Sequence, residues 1–185
     1  MEQAIRRPMD LTYEDYLLTP EDQRYELIEG DLEMTPSPRT LHQIVCSNVF
    51  RLLDPYVQER RLGRVLFGPT DVILSNINVL VPDILFVAQE REAVIEDRGI
   101  VGPPDLVVEV ISPSSGEKDR VIKRRVYYKY GVREYWIVDP FAKTAEVCVV
   151  GKSAFDTHKI FTPGEKLKSP LLPDFSPDTS DFFKR

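Results

Sequence analysis

A chain of 185 residues, 42% of them hydrophobic, has the size of one globular domain and buries about 70% of its unfolded surface. Its 24 Lys+Arg against 30 Asp+Glu give a net charge of −6 and a pI near 5.1, which argue against a broadly basic surface that coats nucleic acid. Cys46 and Cys148 form no C-x-x-C pair, which argues against a disulfide framework or a cysteine zinc site, and no uncharged apolar run approaches the ~20 residues that span a bilayer.

The N-terminal "MEQAIRRPMDLTYEDY" lacks the apolar stretch of a signal peptide, so a cytoplasmic protein is expected. "TYEDYLLTPEDQ" predicts a short helix ending near Pro20, and "RYELIEGDLEMT" an N-terminal hairpin turned at Glu29-Gly30. "PSPRT" then breaks the chain. Leu41, Val45, Val49, Leu52 and Tyr56 recur at helical steps and predict a helix from Leu41 to about Arg60, stopped by Gly63.

"RVLFGPTDVIL", "VLVPDILFV" and "PPDLVVEVISPSS" read as sheet strands, with the turn-rich "SNIN" between the first two. A second helix is expected from Glu117 to Tyr130, closed by Gly131, with the strand "EYWIVD" directly after it. "TAEVCVVGKSAFDTHKIF" reads as a C-terminal hairpin. The predicted class is α/β (α+β), a mixed β-sheet flanked by helices, in a single domain over 1–185.

Two acids interrupt this pattern. Glu109 sits within "DLVVEVI" and Asp83 within "VLVPDILFV", and at period two each points the way its apolar companions point. An unpaired buried carboxylate costs several kcal/mol, so three accounts stay open: exposure on an edge strand, a structural ion pair, or a shared divalent cation. Two carboxylates brought together repel unless a cation lies between them, and hard oxygen ligands select Mg²⁺ or Mn²⁺ over zinc.

On the second helix, Ile122, Val126 and Tyr130 define an apolar stripe that includes Lys123, the one cation aimed inward, which either serves a site there or snorkels along the tyrosines to solvent. Lys118, Arg125 and Lys129 lie on one flank, Arg120 and Arg124 on the other. These bases either steer phosphate or solvate an outer face. His42 lies on the inner side of the first helix, near Val49 and Leu53. Glu26 and Glu29 either reach a site at the sheet edge or are ordinary exposed acids of a hairpin.

Taken together, "YELIEGDL", His42, "PDILFV", "DLVVEVISPSS", "KDRVIKRRVYYKYGVREYWIVDP" and "LLPDF" resemble the Uma-two family of restriction-endonuclease-like proteins, from about Leu11 to Phe182. The resemblance implies a bacterial protein with a PD-(D/E)XK nuclease core, in which Asp83, Glu109 and the main-chain carbonyl of Val110 hold Mg²⁺ or Mn²⁺. Ile111 stands where that pattern has lysine; by similarity Lys123 takes its role, with His42 and Glu26 as further candidate catalytic residues. The function implied is a Mg²⁺-dependent endonuclease hydrolysing DNA, the alternative a catalytically inactive interaction or nucleic-acid-binding module that keeps the fold. Cutting both strands leads to the expectation of a homodimer. Lys123→Met is expected to remove activity with little loss of fold.

Overall fold

The computed structural model describes residues 10–20, 22–112 and 116–185. Residues 1–9 of the N-terminal stretch and residues 113–115 of the "ISPSS" motif lie outside the described residues.

The first helix, α1 (Tyr13–Tyr16), is shorter than expected and is capped where Asp15 accepts the Thr12 N–H at 2.8 Å. The N-terminal hairpin forms from β1 (Tyr25–Ile28) and β2 (Asp31–Met34). Glu29 (φ 52°) and Gly30 (φ 84°) both adopt left-handed conformations, the two-residue reversal that matches the twist of paired strands. The second helix, α2 (Thr40–Glu59), buries Val45, Val49, Leu53 and Val57, one residue per turn along one stripe.

Gly63 does not stop that helix. Arg61, at φ 54°, makes the reversal, and Gly63 opens β3 (Gly63–Phe67) at φ 144°, where a Cβ would meet the Val87 carbonyl oxygen at 2.0 Å.

The strands β4 (Val72–Ser75), β5 (Asn78–Leu80) and β6 (Ile84–Ala88) follow. Asp83 therefore precedes β6 instead of lying within a continuous strand, because Pro82 has no N–H to give a ladder. After β7 (Ile95–Glu96), β8 (Gly99–Val101) and β9 (Leu106–Val110), the expected single helix is divided. A wide π-helical turn over Lys118–Lys123 runs into α3 (Arg124–Tyr130), which Gly131 closes at φ 93°. The chain continues through β10 (Glu134–Asp139) and the C-terminal hairpin of β11 (Thr144–Val150) and β12 (Phe155–Phe161).

One mixed sheet was expected, and the strands form two. The larger runs β12-β11-β10-β9-β6-β3, with β9 and β10 parallel across the helical connection; the smaller runs β2-β1-β5-β4-β8-β7. Alternation along β9 separates the two faces. Leu106, Val108 and Val110 pack with α2, Trp136 and the C-terminal residues Phe175 and Phe182, while Val107 and Ile111 pack with Val126 and Tyr127 of α3. The smaller sheet covers the α3 side further along, where Val72 and Ile100 meet Leu85 and Val87. Glu109 falls in the seam between α3 and the smaller sheet.

At the opposite end of β9, fully buried Asp105 accepts the Ala88 N–H at 2.8 Å and ion-pairs with Arg91 at 2.9 Å and Arg133 at 3.3 Å. Asp105→Ala strands the Ala88 donor, so a loss of about 1–3 kcal/mol is expected, read as a lower urea midpoint with an unchanged slope. An unshifted midpoint would refute that role. Among the described residues, no helix is long and apolar enough to cross a membrane.

Candidate active site

The seam brings together charges from three separate elements. Lys123 Nζ lies 2.8 Å from Glu26 Oε1 of β1, 3.0 Å from Glu109 Oε1 of β9 and 3.5 Å from Asp119 Oδ1, one helical turn before it. All four side chains are at least 94% buried. The Tyr127 hydroxyl donates to Glu109 Oε1 at 3.0 Å. Glu26 also accepts the Val81 N–H at 3.0 Å and pairs with Lys118 at 3.2 Å, and Lys118 reaches on to Glu33 at 2.7 Å.

The two glutamates respond in opposite directions. Burial disfavours the charge of each, but at Glu26 the ammoniums of Lys123 and Lys118 outweigh it and hold the carboxyl below its ordinary pKa. At Glu109 burial pushes the pKa well up, Lys123 offsets only part of this, and Asp119, Asp83 and Glu26 add repulsion. Lys123 itself is held well above the ordinary lysine value, since the three acids outweigh its own burial. One buried ammonium does not neutralise the acids around it.

Asp83 is fastened to the residue after Glu109: its Oδ2 accepts the Val110 N–H at 2.7 Å and faces His42 Nε2 at 3.2 Å. Burial lowers the His42 pKa, but hydrogen bonding to Asp83, the Asp83 charge and the Val110 backbone raise it above the ordinary value. His42 Nδ1 lies 3.5 Å from Cys46 Sγ, whose pKa is raised by burial and by the charges of Asp83 and Glu109. The ligand atoms of His42, Cys46 and Asp83 lie within 4.8 Å of one another. The Cys46 sulfur is a soft donor, whereas Asp83, Glu109 and the Val110 carbonyl offer hard oxygens of the kind that suit Mg²⁺ or Mn²⁺.

The structure thus joins Glu26, Glu109 and Lys123 in one cluster and Asp83, Val110 and His42 in a second, linked along β9. Glu29 is not part of either and pairs with Arg125. Asp119 and Tyr127 are the additions: both lie four residues from Lys123, the spacing that places side chains on one helix face. The bases flanking Lys123 are largely committed to the protein. Arg120 pairs with Asp139 and Glu146, Arg124 with Glu146, Arg125 with Glu29 and Lys118 with Glu26 and Glu33, which removes most of the expected phosphate-steering surface.

A solved structure described as a "putative nuclease belonging to DUF820" from Anabaena variabilis shares this fold, with a TM-score of 0.79 and 22% identity over 95% of this chain and 98% of that one. No curated protein matches the chain. A family model described as "Putative restriction endonuclease" matches residues 12–180, nearly the whole length. By that match the chain belongs to the Uma2 family, with a restriction-endonuclease-like α/β fold.

Proposed function

We propose that the chain is a divalent-metal-dependent endonuclease that hydrolyses phosphodiester bonds in DNA. The observation that carries this reading is the bond from the Val110 N–H to Asp83, which fixes a second carboxylate beside Glu109 while Lys123 is buried against Glu109. Family membership supports a nuclease.

The donor set fits a hard cation. Glu26, Asp83, Glu109 and Asp119 bring four formal negative charges against the two ammoniums of Lys118 and Lys123. Asp83 uses only Oδ2 and Glu109 only Oε1 in their contacts with described residues, so each keeps an oxygen for a further ligand. Asp83, Glu109 and the Val110 carbonyl would hold Mg²⁺ or Mn²⁺. Such an ion, when bound, supplies charge neutralisation at a phosphoryl oxygen and acidifies a water. Lys123 orients Glu109 and offers positive charge to the developing pentavalent phosphorane. Its 3.5 Å contact with Asp119 is the one most easily exchanged for substrate. His42, its proton supported by Asp83, is placed to give that proton to a leaving oxygen, and Glu26 positions Lys123.

A second reading, a non-catalytic module, draws on the same buried cluster, in which Lys123 already contacts three acids. A plasmid nicking assay separates the two. Nicking is expected with Mg²⁺ or Mn²⁺ and not with chelator, together with a metal-dependent rise in thermal stability of about 2.7 kcal/mol at one hundred times Kd. Neither nicking nor a thermal shift would favour the module.

A further inference from the structure

Beside His42 the surface opens into a small cleft of about 130 Å³, lined mainly by the apolar Leu41, Ile111, Pro140 and Phe141, with Arg39 and Ser112. Phe141 is 59% exposed and, unlike the similarly exposed Phe67, lines the cleft beside His42. Its position is set from the backbone: the Asp139 carboxylate accepts the N–H groups of Phe141 and Ala142, each at 2.9 Å, fixing the turn after β10 that presents the ring. Arg39 is exposed and makes no ion pair among the described residues, in contrast to the committed bases of the π turn and α3.

From this arrangement we infer that the site takes an unpaired nucleotide of a single strand, with the base stacked on Phe141 and Arg39 on a flanking phosphate, in preference to intact duplex. The inference rests on the nuclease reading and names its substrate class. In a duplex both faces of each base are covered by neighbours, and only edges and phosphates are offered to a protein. An apolar wall with one exposed ring matches a base face and has little to give to a groove. Duplex binding instead draws on many phosphate contacts, and here Arg120, Arg124, Arg125 and Lys118 are already paired with acids. A protein acting on one strand also needs no second copy to supply a second site.

The test compares a fluorescent single-stranded oligonucleotide with the same sequence as a duplex, measuring binding in Ca²⁺ and cleavage in Mg²⁺ or Mn²⁺, for the wild type, Phe141→Ala and Phe141→Trp. The expected result is binding of the single strand at least about 10-fold tighter than the duplex. Phe141→Ala should lose about 10- to 100-fold in affinity for the single strand, and Phe141→Trp should keep it, as loss and retention of one stacked base predict. Because the ring is exposed, the Ala variant should keep the wild-type melting temperature, which separates lost stacking from lost fold. Equal affinity for both forms, or full single-strand affinity in Phe141→Ala, overturns the inference. Cleavage that is independent of Phe141 overturns it and leaves the nuclease reading intact. Phe141-dependent binding without cleavage in any metal supports it and overturns the hydrolytic reading.

Discussion

Lys123→Met is expected to abolish metal-dependent cleavage and also to destabilise the fold by about 3–5 kcal/mol, the cost of breaking a buried ion pair. The sequence alone led to the opposite expectation for stability, since an inward lysine at an active site has no evident structural duty. With Glu26, Glu109 and Asp119 around it, the ammonium is the cation inside a buried acidic cluster, and methionine leaves those acids uncompensated. The pH dependence gives a signature. Lys123 has a folded pKa above its ordinary 10.5, so its contribution is complete below that value and lost as pH rises through the folded value. Glu26 has a folded pKa below 4.5, so its contribution is present above 4.5 and lost as pH falls through the lower value. The gap between wild type and variant should therefore be widest near neutrality and close toward acid, where the abandoned carboxyls take up protons. Urea melts across that range check it, and a constant gap would contradict the cluster's role.

Glu109→Gln should separate chemistry from stability in the other direction. The amide keeps the shape and still accepts from Lys123 and Tyr127, but it gives a poor metal ligand, so cleavage should fall by at least about 100-fold. Burial and neighbouring acids hold the Glu109 pKa well above 4.5 in the fold, so its ionised form lowers stability as pH rises from 4.5 through the folded value. Removing that ionisation should leave the variant as stable as the wild type or more so at neutral pH. Parallel melts and nicking rates measure both effects. A wild-type rate in this variant would remove Glu109 from the metal set.

The parts of the site legible in the sequence are those fixed by local geometry. Period two turned Glu109 toward the face it occupies, and the helical wheel aimed Lys123 inward although a π turn replaces the regular helix there. The same wheel divided the flanking bases correctly: Lys118 and Arg125 meet β1, β2 and the turn between them, while Arg120 and Arg124 meet acids of β10 and β11. What stayed hidden depends on long-range pairing. Glu26 is a candidate for the site from the sequence, but its partner is not legible there: it joins Lys123 because β1 pairs with β5 in a second sheet, with Leu27 opposite Val79, and nothing local in "YELIEGDL" reports that pairing. Asp119 carried a usable signal, its four-residue spacing from Lys123, but an acid in a basic segment reads first as a solvated surface group. Arg61 took the left-handed turn expected of Gly63 because the glycine was required two residues later, against the Val87 carbonyl.

Ile111, where lysine is expected one step beyond Val110, packs into the core and walls the cleft, while the ammonium reaches Glu109 from the following helix. On the nuclease reading, what is needed is a positive charge at a point in space, whichever stretch of chain delivers it. A pattern search that demands three letters in a row passes over such an arrangement, whereas a search on distances between side-chain atoms retains it.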